Sequence, residues 1–241
     1  MHHLTIETMS KHGKKYLEAK KLVDKSSYSI EEAVALLKKT STTKFDASCE
    51  AHMNLGVDPK QADQNIRTSA SLPHGTGKET RVVAFVNEGQ VKAAKAAGAI
   101  EAGTEELVKK IEKGWLDFDV AVATPDQMKE LGKVAKILGQ KRLMPNPKAG
   151  TVTPDFEKVI GELKKGKVEI RVDKEGNLHN IFGKVSFDEA KLKENLQAFI
   201  KAVLDVKPAS SKGSFIRTLT VTTTMGPGIP LEVNAAIAES K

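Results

Sequence analysis

The sequence predicts a protein of two domains, in which an antiparallel-sheet α+β terminal domain is interrupted by a doubly wound parallel α/β insert. Alternating apolar and polar residues near both ends of the chain are typical of half-buried antiparallel strands. In the middle, short apolar runs alternate with helical segments, which indicates parallel strands covered by helices on both faces. We therefore assign residues 1–75 and 161–241 to the terminal domain and residues 76–160 to the insert.

The first part of the terminal domain is predicted to contain a helix followed by two strands. Ser29 and Glu32 have the spacing of a capping box, which predicts that a helix begins there. Alternation over residues 45–55 predicts a long half-buried strand. Residues 58–59 (Asp-Pro) predict a turn, and residues 66–72 suggest the next strand.

The insert shows the order of a parallel sheet. Residues 81–86 form an apolar run suited to a strand that is covered on both faces, and a helix follows that Gly98 is expected to end. Thr104 is placed to cap the next helix. Residues 119–123 then predict another strand, with Thr124-Pro125 opening a further helix.

Antiparallel signals return after the insert. Residues 167–172 alternate, and a Glu-Gly pair predicts a hairpin into residues 178–185. Ser186 and Glu189 have the spacing of a second capping box, which predicts the start of a long helix. A final strand is expected over residues 214–224.

Composition favours a polyanionic partner. The chain has 38 Lys and Arg against 31 Asp and Glu, a net charge of +7, and residues 76–160 contribute only +2 of it. Cys49 is the single cysteine, so no internal disulfide is possible and a reducing compartment fits. Residues 1–8 lack the pattern of a signal peptide, and no apolar run has the length of a membrane span. We expect a cytoplasmic protein without membrane contact, and no cofactor.

A parallel α/β insert raises the alternative of a small-molecule enzyme, but both nucleotide motifs fail. A phosphate loop ending at Gly77-Lys78 needs a glycine at Leu72 and a hydroxyl residue at Glu79. The dinucleotide fingerprint fails at Thr80, and its glycines would have to follow a strand rather than precede one.

The sequence also lacks the residue spacings of other catalytic and metal-binding sites. Cys49 and His52 fall on opposite faces of one alternating strand. The remaining histidines show no ligand spacing with cysteines or carboxylates, so we expect neither a metal site nor an active site.

The last strand carries hydroxyls on one face. Thr218, Thr220, Thr222 and Thr224 fall on one face, Leu219 and Val221 fall on the other, and residues 225–227 (Met-Gly-Pro) predict a tight turn. Such a face is either a plain solvated sheet surface or a surface that meets the 2′-hydroxyls of RNA. Glycine at the turn lets a backbone approach a ligand closely, and an exposed Met packs on a sugar or base.

Two basic segments also favour RNA binding. Lys14 belongs to a lysine-rich stretch near the N-terminus, and Lys44-Phe45 joins a cation to an aromatic ring. Phe45 fits either the buried side of its strand or a stacking role. Because aromatic residues make up only 5% of the chain, structured RNA recognised by shape is favoured over single strands.

Several motifs together resemble the family of ribosomal proteins called L-one, found at the mobile stalk of the large ribosomal subunit. The resemblance runs in order from about residue 10 to residue 229 and rests on these segments: KHGKKY (11–16), KFD (44–46), GVDPKQADQNIR (56–67), LPHGTGK (72–78), MPNPKAGTVT (144–153) and TVTTTMGPG (220–228). It implies a terminal domain built from both chain ends, with two hinge strands leading to the insert. It also implies binding to large-subunit ribosomal RNA and help in releasing exit-site transfer RNA. Repression of the protein's own messenger RNA and a monomeric state off the ribosome are further implications.

The resemblance implies which residues contact RNA. The family's contacts carry over onto Lys44, Phe45, Ser48, Thr218, Thr224, Met225 and Gly226. Thr218 stands where many members have Ser, and Ser48 where many have Thr, so both positions keep a hydroxyl. Lys174, His179 and Lys184 are additional expected contacts, and Lys14 is expected to contribute from the basic N-terminal stretch.

Overall fold

A computed structural model describes residues 13–61, 63–211 and 213–240 of the chain. Residues 1–8, examined above for a signal peptide, lie outside these ranges. The described strands are, in chain order, β1 Ser48–Leu55, β2 Arg67–Ser71, β3 Val82–Phe85, β4 Glu101–Ala102, β5 Val120–Ala123, β6 Lys167–Arg171, β7 Asn177–Lys184, β8 Ile216–Thr223 and β9 Ile229–Pro230. The described α-helices are α1 Lys14–Lys21, α2 Ile30–Thr40, α3 Val91–Ala97, α4 Glu105–Glu112, α5 Met128–Leu131, α6 Ala135–Gln140, α7 Phe156–Lys164, α8 Glu189–Asp205 and α9 Val233–Glu239.

The largest sheet is antiparallel and has the order β7-β1-β8-β9. Its central strand β1 alternates strictly between half-buried and buried residues, as the sequence predicts. The buried side packs against α2 and α8 in one hydrophobic cluster, which includes Met53, Leu37 and Phe199. The other side of the sheet is left facing solvent.

A two-stranded antiparallel sheet, formed by β2 and β6, leads to and from the parallel part of the chain. The sequence predicts β6 and β7 as a hairpin, and this is correct only at the turn. Asp173 accepts backbone N–H bonds from Glu175 and Asn177 there, and Gly176 has φ 79°. Beyond one bridge between Val172 and Leu178 the two strands part, because β6 pairs with β2 and β7 pairs with β1.

The third sheet is parallel, with the order β4-β3-β5, and has helices on both faces. Val83 and Phe85 point into a cluster with α4 and α6, whereas Val82 and Ala84 point into a second cluster with α3 and α7. All four residues of β3 are buried, which is why its sequence is apolar throughout. Mixed α/β structure with antiparallel and parallel sheets is therefore confirmed.

Several local predictions are confirmed. Ser29 and Glu32 form the predicted capping box at the start of α2, with the Glu32 N–H donating to Ser29 Oγ. Gly98 ends α3 in the left-handed conformation, with φ 108°. Pro125 stands at the first position of a short 3₁₀ turn, although Thr124 makes no side-chain cap bond.

Two predicted caps are wrong, because tertiary partners take the hydroxyls. Ser186 Oγ donates to Asp46 Oδ2 at 2.8 Å, and α8 begins only at Glu189, which leaves no capping box there. Thr104 precedes α4 as expected, but its hydroxyl donates to the carbonyl of Val86 at the end of β3.

The C-terminal part contains two elements that the sequence did not indicate, β9 and α9. β9 extends the four-stranded sheet beside β8, and Ala236 of α9 is buried in the cluster beneath that sheet. Among the described residues, none of the helices combines the length and apolar character needed to cross a bilayer.

Candidate nucleic-acid interface

The solvent-facing side of the β7-β1-β8 strands forms a grid of side chains that are polar except for Ile181. Each residue of β1 on this side lies between one residue of β7 and one of β8, and such a set of three forms a row across the sheet. In the order β7, β1, β8, the successive rows are Lys184–Ser48–Thr224, Ile181–Glu50–Thr222, His179–His52–Thr220 and Asn177–Asn54–Thr218. From Ser48 to Asn54 the face extends for about 20 Å along the strands, at roughly 3.3 Å per residue. We call this surface the polar face. The predicted alternation of β8 is confirmed, with Leu219 and Val221 buried beneath it.

One end of the polar face is held by a hydrogen-bond network around Ser48. Lys184 Nζ donates to Ser48 Oγ at 3.0 Å, and the Ser48 N–H donates to Thr224 Oγ1 at 3.1 Å. The Thr224 N–H donates to the Ser48 carbonyl at 3.0 Å. The structure thus brings three of the predicted contact residues into direct contact.

The turn after β8 exposes Met225 beside this network. Met225 has φ 68°, an uncommon conformation for a residue with a side chain, and 74% of its surface is exposed. The Gly226 N–H donates to the Thr223 carbonyl at 2.7 Å, and a Cβ on Gly226 would lie 2.3 Å from Thr223 Oγ1. Glycine is therefore required at this position for the turn to close. The hydroxyl of Thr222 donates to the Gly226 and Pro227 carbonyls and fixes the turn from the sheet side.

Lys44 and Phe45 lie just before β1, at the same end as Met225. The strand begins at Ser48, later than the alternation predicts, and Phe45 is 59% exposed. Its placement on the buried side of the strand is therefore wrong, and the stacking role stays a prediction. Asp46 turns the chain into the strand by accepting bonds from the Ser186 N–H and hydroxyl.

The middle of the polar face contains a histidine pair. His52 Nδ1 and His179 Nδ1 are 2.8 Å apart, so one ring nitrogen donates to the other. Burial and the neighbouring His179 lower the pKa of His52 from its ordinary value, and the nearby Glu50 carboxylate opposes this shift. Glu50 is the acidic residue of the grid, 3.7 Å from His52 Nε2.

The opposite end of the polar face holds Thr218. Asn54 Nδ2 donates to Asn177 Oδ1 at 2.8 Å in the same row. Lys174 lies exposed in the turn before β7. Arg217 is the extra residue of a β-bulge opposite Asn54 and Leu55, and it is exposed.

Lys14 belongs to a different part of the surface. It begins α1, which packs on α2. The predicted contacts therefore divide into a group at one end of the face, two residues further along it (His179 and Thr218), and two lysines on flanking segments (Lys174 and Lys14).

The sequence prediction missed His52, Asn54, Asn177, Ile181 and Arg217 as members of this surface. Alternation alone places His52 and Asn54 on the solvent side of β1, so these two could have been found. The pairing with β7 could not, because the register shifts by one residue between Cys49 and Glu50.

The sheet has one buried face and one face in contact with solvent. The solvent face has lysines at its edges, hydroxyls across it and an exposed Met at its end, and these features fit an RNA-binding protein. The model of the family described as "Ribosomal protein L1p/L10e family" matches residues 37–227, and the chain belongs to this family. The family consists of structural, RNA-binding proteins of the large ribosomal subunit, and it is not a known enzyme family.

Proposed function

We propose that the polar face binds ribosomal RNA of the large subunit. The main contact is the end of the face that is formed by Ser48, Lys184, Thr224 and Met225. The observation that carries this proposal is the convergence of these four residues from three separate segments of the chain. Lys44 and Phe45 stand beside them, and Gly226 lets the backbone come close to the ligand.

The chemistry of the face suits an RNA backbone. Hydroxyl and amide side chains both donate and accept, as do the 2′-hydroxyls of an RNA groove. The ammonium groups of Lys44 and Lys184 supply phosphate contacts, and Lys174 extends the positive rim. His179 offers a ring nitrogen for hydrogen bonding, and Lys14 adds a cation on a separate part of the surface. Thr218 offers its hydroxyl at the far end of the face. Met225 and Phe45 are exposed apolar side chains that pack on sugars or bases.

We assign this role to a discontinuous domain. The cluster beneath the polar face takes its residues from 28–72 and 170–236, whereas the clusters around the parallel sheet take theirs from 82–163. Because Leu163 of α7 packs with the parallel sheet, the second junction fits best after that helix, near Gly166.

The finer roles follow from the same proposal. The protein acts at the mobile stalk of the cytoplasmic large subunit, where it assists release of exit-site transfer RNA. The polar face also binds the protein's own messenger RNA and represses its translation, and off the ribosome the chain is a monomer. The resemblance to the family supports these roles.

An enzymatic role for the parallel sheet has little to support it. Gly75 and Gly77 precede β3 and do not connect a strand to its helix, so they cannot form a phosphate loop on that sheet.

Salt dependence of RNA affinity tests the proposal. Lys44→Ala removes one exposed cation beside the polar face, and it should flatten the slope of log affinity against log salt by about one unit. Lys201→Ala removes an exposed cation from α8, on the other side of the sheet, and should leave the slope unchanged. Equal slopes for the parent and both variants in titrations of large-subunit RNA would place the interface elsewhere.

A further inference from the structure

Trp115, the single tryptophan of the chain, lines an open groove between the loop that joins α4 to β5 and the segment that follows α6. The groove has a volume of about 590 Å³ and is bordered by Gly114, Leu116, Asp117, Phe118, Lys141 and Leu143. Trp115 packs one side against the cluster around α4, with its ring 5.6 Å from that of Phe118. The ring is only partly buried and forms part of the groove wall.

Basic residues lie near the Trp115 groove. Lys110 Nζ lies 5.8 Å from the centre of the Trp115 ring. Lys141 lines the groove and is exposed, and Arg142, the next residue in the chain, is exposed as well. In the part of the chain that the structure describes, neither side chain forms an ion pair. Asp117, the acidic residue of the wall, is paired with Arg81 at 3.2 Å. The groove therefore offers an aromatic surface beside the unpaired Lys141, with the unpaired Arg142 next to it in the chain.

Arg142 occupies a position where glycine is the usual residue. The Arg142 N–H donates to the Gly139 carbonyl and the Leu143 N–H donates to the Leu138 carbonyl, which together form a Schellman motif after α6. The left-handed residue of this motif is normally glycine, and Arg142 adopts it with φ 60°. Among the described residues, only Met225 shares such a conformation outside glycine, and Met225 lies at the proposed RNA contact. Strained residues of this kind concentrate at functional sites.

We infer that the Trp115 groove is a second RNA contact, in which an unpaired base stacks on the indole and its phosphates meet Arg142 and Lys141. Every base has a π face that stacks on an aromatic ring, so the contact does not depend on sequence. Arg142 follows the lining residue Lys141 directly, so in this proposal its exposed guanidinium serves as the second phosphate contact. The inference rests on the proposed RNA-binding function and adds a site outside the polar face.

The single tryptophan makes this contact directly measurable in the full-length protein. Titration with a large-subunit RNA transcript containing the stalk element, and separately with hexaadenylate, should quench Trp115 fluorescence. Affinity for the transcript is measured independently, by anisotropy of a label on the RNA. Trp115→Leu should weaken transcript binding about tenfold, and Trp115→Phe should restore most of it, because stacking contributes energy at this level.

Arg142→Gly separates a binding role from a structural one. Glycine relieves the left-handed conformation, so the variant should melt at a higher temperature than the parent while binding RNA about tenfold more weakly. Arg142→Lys should keep part of the affinity. Unchanged Trp115 fluorescence when the parent protein is titrated with RNA, together with parental affinity of Trp115→Leu and Arg142→Gly, would overturn the second contact alone. Absence of any transcript binding by the parent protein would overturn the proposed function as well.

Discussion

At the scale of single residues, Thr224 is part of the fold as well as of the proposed contact. Valine matches threonine in shape, so the sequence alone suggests that Thr224→Val spares the fold. The structure contradicts this, because Thr224 Oγ1 accepts the Ser48 N–H bond at 3.1 Å. We expect Thr224→Val to lower the free energy of unfolding by about 1 kcal/mol and RNA affinity by roughly ten- to a hundredfold. Thr224→Ser keeps the hydroxyl and should preserve both, as measured by chemical denaturation and RNA titration.

The control for Thr224 must be a threonine without such a bond. Thr222 is unsuitable because its hydroxyl donates to the Gly226 and Pro227 carbonyls. Thr220 lies on the same face, nearer its middle, and Thr220→Val should alter RNA affinity far less than Thr224→Val. Equal effects of the two substitutions would mean that the network at Ser48 has no special part in binding.

The histidine pair makes stability depend on pH. Because burial and His179 lower the pKa of folded His52, the unfolded chain binds more protons once the pH falls below about 6.5. The stabilising contribution is therefore present above that pH and is lost as the pH falls through the lowered pKa of the folded state. Thermal melts between about pH 7.5 and about pH 5 should show a shallower loss of stability for His52→Asn than for the parent. Parallel curves would mean that the pair does not carry this pH dependence.

Residue-scale predictions from sequence succeed where only alternation decides the outcome. The four threonines at 218, 220, 222 and 224 share a face because strand side chains repeat every second residue. The same reasoning failed for Phe45, because the alternating pattern starts at residue 45 whereas the strand begins only at Ser48. The contact between His52 and His179 depends on a register that local sequence does not define.

At the scale of elements, the two capping-box patterns had opposite outcomes. Ser29 and Glu32 bond to each other, and the box forms with Glu32 also accepting the Ser29 N–H. Ser186 has the same spacing to Glu189, but Asp46 from a distant segment takes its hydroxyl. A local pattern therefore predicts a cap only where no distant acceptor competes. Partners distant in sequence also explain why β6 pairs with β2 and why β9 was not foreseen.

The confirmed cap should be measurable. Ser29→Ala removes the acceptor for the Glu32 N–H at the start of α2 and should lower the free energy of unfolding by about 1 kcal/mol. Glu189→Ala at the first residue of α8, where no box forms, should change it by less than about 0.5 kcal/mol. Urea denaturation of both variants checks this, and a loss from Glu189→Ala as large as that from Ser29→Ala would contradict the assignment.

At the scale of the whole molecule, the chain leaves and re-enters the region of the polar face at one point. A Cβ on Gly166 would lie 2.2 Å from the Gly75 Cα, and the Leu72 N–H donates to the Gly166 carbonyl. Consecutive Cα atoms are about 3.8 Å apart, so a direct Gly75–Gly166 peptide bond fits this geometry. The order of strands and helices predicted the parallel block, but only the contact between Gly75 and Gly166 defines where a splice can be made.

RNA binding by this spliced protein is the most direct test of the central claim. The variant joins Gly75 to Gly166, removes residues 76–165 and keeps every strand of the polar face. Circular dichroism first establishes that it folds, and titration with the stalk-element transcript then gives its affinity. We expect affinity within about a hundredfold of the full chain, the difference being the proposed contacts of Trp115 and Arg142, and a further loss when Thr224→Val is added. A folded spliced protein that binds no RNA, while residues 76–165 bind it alone, would contradict the claim that the polar face is the RNA-binding site.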